Sequence, residues 1–125
     1  MPSPIMTADT TVDARSPILV FDQVSKFLHG KTALDKATLS IPPSAIVGVI
    51  GQNGCGKSTL LHHATGLMLP SRGVCRTSGV PSDALGASHL ARIGVVYQHA
   101  KLLGWMCVSD LAAYIGTFYA TWDRP

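Results

Sequence analysis

One stretch constrains this chain more than any other: Gly51-Gln52-Asn53-Gly54-Cys55-Gly56-Lys57-Ser58-Thr59 fits G-x-x-x-x-G-K-[ST], the pattern of a phosphate-wrapping loop. The residue types follow from the task. Glycines let the backbone close into a tight nest whose N–H groups converge on an anion. Lys57 adds a compact charge for the terminal phosphates of a nucleotide, and the Ser58 hydroxyl is a hard oxygen ligand suited to Mg²⁺. A helix beginning at the lysine turns its positive end toward the same anion.

The flanks support the motif. Ala45 to Ile50 (Ala-Ile-Val-Gly-Val-Ile) predicts a buried strand. Lys57 to about Leu67 predicts a helix with Leu60, Leu61, Ala64 and Leu67 on one face. Strand, glycine loop and helix in that order define a P-loop unit of an α/β fold.

Composition removes several alternatives. The chain is 46% hydrophobic and 14% charged, too apolar for a disordered protein. A net charge of +3 without any like-charge run gives no reason to expect nucleic acid as a partner. All seven acids are aspartates, so no mechanism that requires a glutamate base is completed within these 125 residues. The 3 cysteines, Cys55, Cys75 and Cys107, are far apart and suit a reducing compartment better than a disulfide framework or zinc site. No apolar run reaches membrane-span length, and Met1-Pro2-Ser3-Pro4 does not open a signal peptide.

Along the chain, residues 1–17 read as a mobile leader and 18–125 as the domain. A first strand is expected from Ile18 to about Val24, then a turn over Phe27 to Lys31 with His29-Gly30 at its tip. Two extended segments follow, Thr32–Leu34 and Ala37–Ile41, before Pro42-Pro43-Ser44 breaks the pattern. After the helix come a short strand at Val74–Arg76, a loop from Thr77 to Ser88, and a helical turn around Ala87–Ala91. Ile93 to Tyr97 predicts a second buried strand, ending at Gln98. Ser109 is the expected N-cap of a last helix with Leu111, Ile115, Phe118 and Trp122 on its apolar face.

Val24-Ser25-Lys26, Thr32-Ala33-Leu34-Asp35, Leu39-Ser40-Ile41-Pro42 and Ile46 to Gly54, followed by Ser58-Thr59-Leu60-Leu61, Thr65-Gly66-Leu67 and Ser71-Arg72-Gly73, resemble the start of an ABC-transporter ATP-binding subunit. Ile93-Gly94-Val95-Val96-Tyr97-Gln98 is similar to the strand entering that family's Q-loop, and Phe118 to Asp123 is similar to a branch of drug- or antibiotic-exporting members. The resemblance implies a P-loop NTPase core of ABC type with an antiparallel β subdomain beside it. It also implies ATP and Mg²⁺ as cofactors. Gly51, Gln52, Asn53, Gly54, Cys55, Gly56, Lys57, Ser58 and Thr59 would wrap the triphosphate, and Ser58 and Gln98 would ligate Mg²⁺. Phe27 is the candidate to stack on adenine, although ungapped alignment puts Leu28 at that place and Phe27 reads equally well as core. His99 to Val108, with Leu102, Leu103, Trp105 and Met106, would face a membrane-spanning transporter subunit, or else pack internally. The resemblance further implies an ATPase dimer in the full-length form, peripheral on the cytoplasmic face of the membrane.

Three features that complete such a site in the family do not occur here: an L-S-G-G-Q signature, a later apolar strand ending in Asp-Glu, and a switch histidine. Ile93–Tyr97 does not substitute, because no carboxylate follows Gln98 before Asp110. His29, His62, His63, His89 and His99 read as ordinary side chains. The expectation is therefore the front portion of an ABC ATPase, incomplete at its C-terminal side, with nucleotide binding and no efficient turnover by this chain alone. A truncated non-catalytic nucleotide-binding fragment, a soluble ABC-type ATPase without a membrane partner, and a small-molecule kinase are the competing readings. Cys55, beside Lys57, adds an expectation: alkylation blocks nucleotide binding and ATP protects the thiol. Unchanged binding after complete modification rejects it.

Overall fold

The computed structural model describes residues 16–99 and 103–123. Most of the expected leader, and Leu102 of the proposed partner-facing segment, lie outside the described residues. The chain divides into two compact units, Met1–Leu85 and Gly86–Pro125.

The first unit is built on an antiparallel sheet. Strand β1 (Leu19–Leu28) pairs with β2 (Lys31–Ile41) through a two-residue turn. Its residues, His29 and Gly30, both have positive φ (48° and 74°), the twist that lets a tight hairpin match its strands. On its other side β1 pairs with β3 (Arg72–Thr77), and β3 with the short β4 (Val80–Pro81), giving the order β2-β1-β3-β4. The strands are longer than the sequence suggests: β1 runs on to Leu28, and the two segments expected at 32–41 form one strand. Irregularities keep it continuous. At Gln23 (φ 51°) the backbone N–H leaves the ladder and donates to Thr38 Oγ1 at 3.2 Å, and Lys36 (φ 46°) donates to Ser25 Oγ at 2.9 Å. Across from that bulge Gly73 (φ 79°) approaches so closely that a Cβ would stand 2.2 Å from the Gln23 carbonyl oxygen, which reserves the position for glycine.

Helix α1 (Lys57–Ala64) lies against this sheet. Leu60 joins Phe21, Val24, Leu34 and Cys75 in the core, all at most 4% exposed. The helix is shorter than the apolar pattern predicts. Gly66 takes a left-handed conformation (φ 75°), donates to the His63 carbonyl at 3.2 Å and ends the helix, leaving Leu67 exposed. Leu61 also faces solvent, so the expected four-residue face reduces to Leu60 and Ala64. A 3-10 turn at Ser82–Ala84 closes the unit.

The buried strand expected at Ala45–Ile50 is not observed. Residues 45–50 pair with no strand among the described residues, and Ile46 and Ile50 are 103% and 82% exposed. Only Val49 packs on the core cluster. The reason is physical: a strand apolar on both faces is a central strand, and it needs a hydrogen-bonded neighbour on each side before burial is favourable. The same correction applies in the second unit, where 93–97 forms no strand and Val96 is 99% exposed.

The second unit holds α2 (Ala87–Leu90), at the place of the expected helical turn, and α3 (Val108–Gly116). The latter starts one residue before Ser109, with Cys107 as N-cap and no side-chain capping bond. Leu111 and Ile115 are half-buried, whereas Phe118 falls beyond the helix and is exposed. The Trp122 ring lies on Gly116, where a Cβ would meet it at 2.6 Å.

Candidate functional site

The loop 51–56 adopts the geometry that its glycines permit. Gly54 and Gly56 have φ of 80° and 99°, so the chain reverses twice before entering α1. Gly56 sits so close to β2 that a Cβ would stand 2.5 Å from the Ala33 carbonyl oxygen. This contact anchors the loop to the sheet. Inside the loop the Cys55 N–H turns back to the Gln52 carbonyl at 3.3 Å, and the first bond of the helix runs from Leu60 N–H to Gly56 oxygen at 2.9 Å. As at any helix start, the N–H groups before Leu60 have no intrahelical acceptor and remain available to an anion. No acidic side chain occupies the first turn of α1, so nothing there cancels the helix's positive end.

Lys57 reaches back over this nest. Its Nζ donates to the Gly51 and Gln52 carbonyls at 2.7 and 2.8 Å and lies 3.9 Å from Cys55 Sγ. The half-buried Cys55 thiol is turned inward, within 2.5 Å of where a Gly51 Cβ would stand. The nine consecutive residues that the sequence singles out, Gly51 to Thr59, make up this loop and the first turn of α1. Ser58, at the helix start, is exposed. The donor set fits a magnesium nucleotide: backbone N–H groups, one ammonium and one hydroxyl, with no carboxylate opposing the phosphates.

Two other candidates lie on other elements. Strand alternation separates Phe27 from its neighbours: Lys26 reaches the Leu69 carbonyl beyond α1 at 2.7 Å, so Phe27 points to the opposite face of the sheet, and Leu28 to the same face as Lys26. There the Phe27 ring is 45% exposed and carries the Arg72 guanidinium 5.7 Å from its centroid. Gln98 belongs to the second unit, in an exposed turn following Tyr97.

One residue escaped sequence reasoning. His63, on α1, is 0% exposed, and its Nδ1 lies 2.6 Å from the Thr59 carbonyl oxygen. Burial above all lowers its pKa from the ordinary 6.5; Lys26 and His62 add to the effect, and the Thr59 and Leu69 carbonyls oppose it. Its own carbonyl accepts from Cys75 Sγ at 3.5 Å and Ser82 Oγ at 3.3 Å, and burial pushes the Cys75 thiol pKa up. The adjacent pair His62-His63 offered no periodicity signal that would tell the buried ring from the half-buried one.

This glycine loop and the helix after it carry the sequence pattern and the backbone turns of a P-loop. The ABC transporter family model matches residues 34–122, and the chain belongs to that family. It is 37% identical over 118 residues to the methionine import ATP-binding protein MetN 2 of Paraburkholderia xenovorans, a match covering 87% of this chain and 31% of the relative. It is 35% identical over 108 residues to the aliphatic sulfonates import ATP-binding protein SsuB 2 of Burkholderia lata, covering 86% of this chain and 38% of the relative. Among solved structures, the ADP conformation of an ATP-binding cassette of an ABC transporter superposes with a TM-score of 0.67 at 26% identity, covering 89% of this chain and 44% of that one. A nucleotide-free cassette gives 0.65 at 27% identity, covering 80% of this chain and 40% of that one. The chain therefore spans about a third of the length of these curated relatives.

Proposed function

We propose that this chain grips the triphosphate of ATP with Mg²⁺ and that, in the whole protein, this grip energises uptake of a small solute across a membrane. The observation that carries the reading is the position of Lys57, folded over a glycine nest at the positive end of a helix that carries no acid in its first turn. The N–H groups and Lys57 orient the phosphates, and Ser58 and Gln98 are the proposed metal ligands. When bound, Mg²⁺ supplies the positive charge that offsets the phosphates and polarises the terminal one. Inward transport is favoured by the import systems to which both named relatives belong.

A membrane-spanning subunit is the proposed partner. Trp105 and Val108, 77% and 85% exposed, support an apolar contact there. No described helix is long and apolar enough to cross a membrane. The proposed place, by likeness to the ATP-binding subunits, is peripheral on the cytoplasmic face, as an ATPase dimer in the full-length form. The test is titration of the chain with magnesium ATP beside a Lys57→Ala variant. Saturable binding that the variant loses supports the reading; equal binding by both rejects it. Co-fractionation of the whole protein with a hydrophobic subunit separates a transporter component from a soluble ATPase of the same family.

A further inference from the structure

His63 lies one helical turn beyond Thr59, at the back of the phosphate loop. A carbonyl oxygen only accepts, so the 2.6 Å contact with Thr59 places the neutral ring's proton on Nδ1. Nε2 is then a bare lone pair, fully buried and without a hydrogen-bond partner. A lone pair in that position is tolerable. A protonated ring is a buried cation whose one further acceptor, the Leu69 carbonyl, already receives the Lys26 ammonium.

The surroundings make the second state worse. From β1 comes the Lys26 ammonium, which already donates to the Leu69 carbonyl at 2.7 Å. From β3 comes the neutral Cys75 thiol, and from the 3-10 turn the Ser82 hydroxyl, both directed at the His63 carbonyl. His62 on the same helix adds a further repulsive group, and β2 contributes apolar Leu34 to this core. No carboxylate is among the groups that act on the ring. Relief requires α1 to move off β1 and β3, and the start of α1 is the phosphate site.

We propose that His63 is a positioning residue for the phosphate loop: its neutral ring ties the Thr59 carbonyl to the core, and its protonation releases the start of α1, so that nucleotide affinity falls in mildly acidic medium. The inference rests on the nucleotide-binding reading above and adds a regulation to it. The direction follows from linkage. The unfolded or released chain takes up the proton near 6.5, while the packed form resists it, so the packed form is favoured above pH 6.5 and loses ground as pH falls below that value.

Two variants test it. In His63→Asn the amide N–H replaces Nδ1–H toward Thr59 and does not titrate; His63→Leu fills the apolar space without the bond. Magnesium ATP affinity is measured for all three chains from pH 7.5 to 5.5, and titration of the nucleotide itself is common to them. The wild type should weaken about tenfold more than His63→Asn over this range. At pH 7.5 His63→Leu should bind about fivefold more weakly than His63→Asn. A wild-type profile parallel to both variants overturns the proposal.

If the wild type binds no nucleotide at pH 7.5, the functional reading fails, and amide exchange decides the role of His63. Loss of protection below pH 6.5 confined to Thr59–Ala64 in the wild type, and absent from His63→Asn, sustains the proposal. Uniform loss that includes β1 and β3, or no loss, rejects it. Where His63→Asn does not fold, His63→Leu serves as the non-titrating reference.

Discussion

The segment 45–50 is more apolar than the sheet β1–β2–β3, yet the sheet is the part that is buried. Phe21, Val24 and Cys75 are at most 1% exposed, whereas Ile46 is 103% and Ile50 82% exposed. The difference is connectivity. Two-residue turns bring β2 to β1 and β4 to β3, and β3 reaches the other edge of β1 after the glycine loop and α1, so β1 is paired on both sides. Residues 45–50 lead into the phosphate loop as a central, parallel-type strand would, and such strands receive their neighbours only through long crossovers. Hydrophobicity alone therefore does not bury a strand; a hydrogen-bonded neighbour must arrive first.

The sharpest way to break that contrast is a pair of truncations. Phe21→Ala should destabilise the chain by about 3–5 kcal/mol, and Ile46→Ala by no more than about 0.5 kcal/mol, read as urea midpoints. Comparable losses at both positions would mean that residues 45–50 are packed as tightly as the sheet. Next in size, Lys57→Ala should weaken magnesium ATP binding by about 10- to 100-fold while leaving the denaturation midpoint nearly unchanged, because the ammonium bonds loop carbonyls and supports no core contact. A large midpoint shift would show that the loop and the sheet fold as one.

A smaller effect concerns pH. Below 6.5 the wild type should lose stability relative to His63→Leu, by at most about 1.4 kcal/mol per pH unit, because burial lowers the His63 pKa and only the unfolded chain accepts the proton readily. Equal slopes for the two chains from pH 7 to 5 would exclude it. Smallest, Thr38→Val should destabilise by about 1 kcal/mol, because its hydroxyl accepts from both Gln23 N–H and Gln23 Nε2 at 3.2 and 3.0 Å. Stability unchanged in that variant would mean that water replaces the hydroxyl at the bulge.

The phosphate site was legible because it is local. Nine consecutive residues set their own backbone turns and supply their own donors, and the order of glycine, lysine and serine carries the chemistry. The turn at His29-Gly30 was readable for the same reason, since positive φ favours particular residues at particular places, whereas the stop at Gly66 was not foreseen. The apolar runs at 45–50 and 93–97 identified strand-forming segments, but their burial depends on neighbours that no local pattern can specify. Phe27 shows a related limit. Its ring read equally as a base platform or as core; the fold leaves it 45% exposed with the Arg72 guanidinium over it, a contact no local pattern specifies.

By itself, then, the sequence determined the glycine loop proposed to hold phosphate, the helix that follows it and the family to which both belong, because these rest on residues close in the chain. Only the tertiary structure decided which apolar segments are covered, which face Phe27 takes, and that of two adjacent histidines His63 is the one sealed against the sheet. Those outcomes are set by residues distant in sequence. β1 and β3 close over one side of α1, and a rotation of about 100° per residue along the helix places His63 inside and leaves His62 at the edge.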